Sequence, residues 1–229
     1  MINKDVSMNK EWSELNRSMQ TQLRKKDTYN SGIDLLFKLR DRLMETLLSF
    51  KEELERDDFN AIPFINADGY HSKTIAYSLW HIFRIEDIVA HTLINDDEQI
   101  FFSGNYKDRI NSPIITTGNE LVGQDIADFS AQLNIDELYT YIVAVTKSTE
   151  SVLSKLPFDM LKNKISPERK ERLISLNTVS TDENAVWLID YWCSKDIRGL
   201  IQMPFSRHWI MHTEACLRIK NKLKNRETA

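Results

Sequence analysis

With 229 residues, of which 41% are hydrophobic and 28% charged, the chain can bury a real core and has the balance of an ordinary globular protein. A net charge of -4 offers no basic field for a polyanion, which argues against nucleic acid as a partner. No stretch approaches the ~18 apolar residues of a membrane span, and Met1 to Lys10 lacks the apolar centre of a signal peptide, so a cytoplasmic protein is expected, with Cys193 and Cys216 as buried, reduced thiols.

Six glycines and five prolines, with no Asn-Gly or Asp-Gly hairpin turn between alternating runs, argue against strands and for an all-α chain. Residues 1–28 form a polar extension in which Trp12, Leu15, Met19 and Leu23 recur at spacings of three and four. It reads either as an amphipathic helix or as a loosely ordered arm, and its apolar stripe could cover a homodimer surface. Residues 29–225 read as a single domain.

The first helix of that domain is expected over 32–55, with Ser31 as cap and Leu36, Leu39, Leu43, Leu47, Phe50 and Leu54 as its buried stripe. After a turn at residues 67–69, a second runs over 72–94. It carries one apolar stripe of Ile75, Leu79, Ile82, Val89 and Leu93 and another of Ser78, His81, Ile85 and Ile88, as an interior helix does. Residues 95–133 read as a long connection with helical turns near 122–129, a crossover that would let the third helix run parallel to the second. The third helix is expected over 135–156, capped at Asn134. A short charged helix over 167–176 follows, then one over 184–200 capped by Ser180 and turning Val186, Ile189, Cys193, Ile197 and Leu200 inward. Pro204 opens the last helix, which ends in a solvated basic tail at Lys220 to Lys224.

On that last helix Phe205, His208, His212, Ala215, Ile219 and Leu223 share one inward stripe, so two imidazoles one turn apart face the core. An unpaired buried imidazole carries a desolvation cost, and His81 lies on an inward stripe of another helix. Three such histidines can converge on one divalent ion, each nitrogen about 2 Å from it. His71 and His91 read as surface or boundary side chains, and Tyr77, one turn before His81, is the nearest candidate to support the ligands or touch a substrate. Glu86 and Asp87 lie off the His81 face and are expected to orient Arg84, loops or neighbouring helices. Arg207 should point away from the site into an ion pair, and the tryptophans should be core and rim rather than a stacking platform.

The run Thr74-Ile75-Ala76-Tyr77-Ser78-Leu79-Trp80-His81-Ile82-Phe83-Arg84-Ile85-Glu86-Asp87, followed much later by Arg207-His208-Trp209-Ile210-Met211-His212, resembles the DinB-like metalloprotein superfamily over roughly residues 30 to 222. The resemblance implies a four-helix bundle, up-down-down-up, with a long crossover between its second and third helices. It also implies a metal site of His81, His208 and His212, matching the family's second-helix histidine and last-helix H-x-x-x-H pair. The polar N-terminal extension and the charged helix near Pro167 depart from that plan.

Three protein nitrogens leave an ion positions for water or substrate. Imidazoles suit zinc, nickel, iron or copper, and such an ion could lower the pKa of a water or a thiol. Characterised members of the resembled family include transferases acting with small thiols such as bacillithiol or mycothiol, isomerases and suspected hydrolases. The expectation is therefore a metal-dependent transferase or hydrolase acting on a small molecule, with a low-molecular-weight thiol among its partners. A non-catalytic metal- or ligand-binding bundle and an interaction protein with hydrogen-bonded core histidines are the alternatives.

Overall fold

Apolar residues spaced at three and four produce helices along most of the chain in the computed structural model, which describes residues 4–67 and 69–227. No strand occurs among the described residues; Lys164 and Asp196 form an isolated bridge. The fold is all-α.

The N-terminal extension is helical. Helix α1 (Lys4–Gln22) buries Trp12, Leu15 and Met19 along α2 (Tyr29–Glu53), and Leu23 completes the stripe. A face read as a possible dimer surface is thus covered by the same chain, while residues 1–3 lie outside the described residues. At Gly32 an added Cβ would meet Leu23 Cδ2 at 2.9 Å, so this close passage requires a glycine. Helix α2 starts earlier than the Ser31 cap predicts, because a 3-10 turn at Lys26–Thr28 feeds directly into it.

Helix α3 (Ile75–Asp87) is capped by Thr74, whose hydroxyl accepts from Tyr77 N at 2.9 Å, and all of its residues are buried. Asp68, in the middle of the turn expected before it, lies outside the described residues. The helix continues as a π-helical stretch, Ile88–Asn95, which ends at Asp96 in the left-handed region at φ 58°. The long connection that follows holds three short helices, α4 (Ile100–Ser103), α5 (Tyr106–Ile110) and α6 (Gln124–Gln132). Helix α7 (Ile135–Ser154) begins at Asn134, whose side chain accepts from Glu137 N as the sequence predicts.

Helix α8 (Pro167–Ser175) is the charged departure, and its arginines have a structural role. Arg169 donates to the Leu93 and Ile94 carbonyls at 2.7 Å each, and Arg172 donates to Asp96 and to the Asp97 carbonyl, closing the C-terminal end of the π-helical stretch. The single helix expected over 184–200 is two: α9 (Trp187–Cys193) and α10 (Ile197–Gln202). The chain breaks because Asp196 caps Gly199 N at 2.7 Å while Ile197 N donates to Asn163. The inward register changes with it. Leu188 and Trp192 are buried, whereas Val186 is exposed and Cys193 half-buried.

Helix α11 (His208–Glu227) is preceded by a π-helical turn, Met203–Arg207, so Pro204 opens that turn rather than the helix itself. The basic tail is not free in solvent. Lys220 and Lys224 both reach Glu53 Oε2, at 3.1 and 2.9 Å, and Leu223 is buried. Helix α3 packs on α7 and α11, and α2 packs on the same two helices.

Candidate metal centre

His81 from α3 and His208 and His212 from α11 come together in the core. Their ring centroids lie 5.0, 4.9 and 4.5 Å apart, and one nitrogen from each lies within 4.8 Å of those of the others. They are 5%, 7% and 2% exposed, respectively, which leaves little water to solvate them. The spacing of His208 and His212 places both rings on the face of α11 that meets α3.

His81 Nδ1 lies 2.8 Å from the Thr117 carbonyl. A carbonyl only accepts, so Nδ1 carries the proton and Nε2 presents its lone pair. His208 Nδ1 and both nitrogens of His212 are buried and make no hydrogen bond within the protein. Leaving such atoms unpaired costs about 1–3 kcal/mol each. Burial, assisted by Lys73, lowers the His81 pKa to about 4; burial and the neighbouring imidazoles hold His208 and His212 well below the ordinary value. Three neutral, buried imidazoles with unpaired nitrogens form a donor set that can hold a divalent ion.

The remainder of the centre is built from side chains at i, i+3, i+4 and i+7 of α3, which grip one loop. Tyr77 hydroxyl, Trp80 Nε1, His81 Nδ1 and Arg84 Nε donate to the carbonyls of Gly118, Thr116, Thr117 and Ile115 at 3.0, 3.2, 2.8 and 2.9 Å. Tyr77 is therefore close to the centre. Its ring stacks on His81 with centroids 5.4 Å apart and planes 12° apart, its hydroxyl is engaged by Gly118, and burial raises its pKa. Gly118, at φ 79°, lets the loop pass the Tyr77 ring, 3.1 Å from where a Cβ would sit.

Glu86 and Asp87 organise helices, as their position on α3 predicts. Glu86 receives both Arg40 Nη1 and Nη2, at 2.9 and 2.8 Å, and Trp209 Nε1 at 2.8 Å, linking α2, α3 and α11 one residue from His208. Arg40 and Glu86 are fully buried, and Arg40 also donates to Glu150 and to the Phe205 carbonyl. Asp87 accepts from Tyr141 hydroxyl, Arg84 and the backbone N–H groups of Ile100 and Phe101. Arg207 is exposed as expected, but it forms no ion pair among the described residues.

The other histidines stand apart from the triad. His71, partly buried, receives Arg218 at 3.1 Å. His91 is not a boundary residue: it is 2% exposed, with Nδ1 2.6 Å from Asp97 and Nε2 3.1 Å from Ser148. Every residue from Ile75 to Ile94 is buried, so this helix has no boundary face on which His91 could lie.

A cavity of about 320 Å³ reaches His81 and His208, with Tyr70, Asn119, Trp187 and Trp192 among its walls. Tyr70 also meets His212 edge-on at 4.9 Å. Tyr70, Asn119 and the Thr117 carbonyl carry no periodic signal, because they lie outside the long helices and are brought in by tertiary contacts. Trp80, Trp192 and Trp209 are core, while Trp187 is a rim residue. Burial pushes the Cys216 thiol up to about 12 and raises that of Cys193, so neither is a ready thiolate. No family model matches this chain, and no curated protein matches it.

Proposed function

We propose that the chain is a metal-dependent enzyme of the DinB-like kind, in which His81, His208 and His212 hold a divalent ion and a small thiol or water is activated for transfer or hydrolysis. The observation that carries this reading is the set of buried, hydrogen-bond-free nitrogens on His208 and His212 facing His81. The ion, when bound, would supply Lewis acidity and lower the pKa of the attacking group.

The protein's own contribution follows from its contacts. The Thr117 carbonyl holds the His81 tautomer, Tyr77 fixes the plane of the ring, and the Glu86–Arg40 pair fixes the start of α11. The cavity at His81 and His208 admits a substrate while the surrounding aromatic side chains exclude water. With both cysteine thiols kept protonated by burial, the nucleophile is assigned to a molecule from outside the chain.

The proposed bundle runs up-down-down-up through α2, α3, α7 and α11. Cross-helix contacts support this direction by direction. Tyr29–Leu156 and Tyr139–Leu47 run in opposite senses along α2 and α7; Tyr141–Phe83 and Ser148–His91 run in the same sense along α7 and α3. His212–His81 and Trp209–Glu86 run oppositely along α11 and α3. In that reading the 95–133 segment is the crossover, and α1 and α8 are additions to the bundle.

A non-catalytic site that merely braces the core is favoured by the 2% exposure of His212 and opposed by the cavity beside the other two rings. The test is metal analysis of protein purified without an affinity tag. A stoichiometric ion lost in each of His81→Ala, His208→Ala and His212→Ala is expected, followed by thiol-transfer and hydrolysis screens on the loaded protein. Metal-free protein that takes up no added zinc and is indifferent to these substitutions would overturn the proposal.

A further inference from the structure

The walls of the cavity at His81 and His208 restrict what it can receive. Tyr70, Trp187, Tyr191 and Trp192 supply four aromatic side chains, and Ile85 and Leu188 add aliphatic surface. Among the described residues that line it, none is an aspartate, glutamate, lysine or arginine. Lys195, whose ammonium lies 4.0 Å from the Tyr191 ring, is outside the lining. An anionic ligand group would lose water there with no counter-charge from the walls, and a cation would meet only ring faces, of which Tyr191 already holds the Lys195 ammonium.

Two details add direction. Trp187 is 49% exposed, yet it is held in place, donating its indole N–H to the Asn184 carbonyl at 2.9 Å and meeting Tyr191 edge-on at 5.6 Å. A large apolar ring pinned at a cavity edge is a surface prepared for contact. Asn119 Oδ1 accepts from Thr117 hydroxyl at 2.7 Å, which leaves its amide N–H groups to donate.

We propose that this cavity takes an uncharged, ring-bearing small molecule, with an acceptor atom on Asn119 and its reacting end at His81 and His208. The assignment of the reacting end rests on the metal reading of the triad. A volume of about 320 Å³ is at the small end for ligand cavities and suits a molecule of about two fused rings. A highly charged thiol conjugate is thereby disfavoured as the molecule lying within these walls.

The test is calorimetric titration of the full chain, stripped with chelator, with three probes of one shape: naphthalenemethanol, naphthoate and naphthylmethylammonium. The alcohol should bind about tenfold more tightly than either ion. Trp187→Ala, at a half-exposed position, should weaken the alcohol about threefold to tenfold without moving the melting temperature. Equal or tighter binding of either ion, no binding of the alcohol, or an alcohol affinity unaffected by Trp187→Ala overturns the proposal. Zinc stoichiometry on a reloaded sample separates the two readings. Zinc bound by a chain that refuses the alcohol sinks the cavity assignment alone; alcohol bound by a chain that takes no zinc sinks the metal reading alone and leaves the cavity assignment standing.

Discussion

His81 is oriented by backbone, not by an acid: its Nδ1 proton goes to Thr117, in a loop that α3 grips with three other donors. Gly118 is the hinge of that grip. Gly118→Ala would place a Cβ 3.1 Å from the Tyr77 ring at φ 79°, so a loss of about 1–2 kcal/mol is expected in urea unfolding, with weaker zinc binding in titration. The triad also sets a pH dependence. The folded pKa values lie below the ordinary histidine value, so the unfolded chain binds more protons, and stability rises with pH between the two. The metal-free protein should keep this contribution above about pH 6.5 and lose it as the pH falls, the His81 part being spent by about pH 4, with a slope of about 1.4 kcal/mol per pH unit for each histidine that is protonated only on unfolding. Urea unfolding at a series of pH values checks this. A His212→Gln variant with an unchanged slope would refute it.

At the scale of elements, the phase between α3 and α11 decides whether the three rings can meet. That phase is pinned by Glu86, which takes Arg40 from α2 and Trp209 from α11 in a dry environment. Removing one partner of a buried pair strands the other, so Glu86→Ala should cost about 3–5 kcal/mol in unfolding and Glu86→Gln distinctly less. Both should weaken zinc binding, because Trp209 follows His208 directly. The inward stripes of α2, α3 and α11 were legible in the sequence because each is long and regular. The break between α9 and α10 was not, since the choice of Asp196 to cap rather than continue depends on Asn163 arriving from elsewhere in the chain. The burial of His91 was hidden for a similar reason: it depends on Asp97 and on Ser148 of α7 taking up both ring nitrogens of a polar side chain on a helix buried on every side.

For the whole molecule, α1 closes the outer face of α2 and also touches α11. Its Trp12, Leu15 and Met19 are buried, and each large apolar side chain is worth about 1.5–3 kcal/mol as an upper figure. Deleting residues 4–22 should therefore lower stability by about 3 kcal/mol or more and expose a stripe that drives self-association. Urea unfolding and size-exclusion chromatography of the shortened chain test this; an unchanged, monomeric product would contradict it.

The helical periodicity of the chain determined by itself that the protein is all-α, which apolar residues of its long helices face inward, and that His81, His208 and His212 lie on buried stripes, because burial follows from spacing whenever helices are long. Only the tertiary structure decided that those stripes meet within 4.8 Å, that Thr117 rather than a carboxylate orients His81, and that the adjoining cavity is aromatic and free of charged walls among the described residues. Those features depend on loops and on the phase between helices, which are set by contacts far apart in the chain and leave no local pattern.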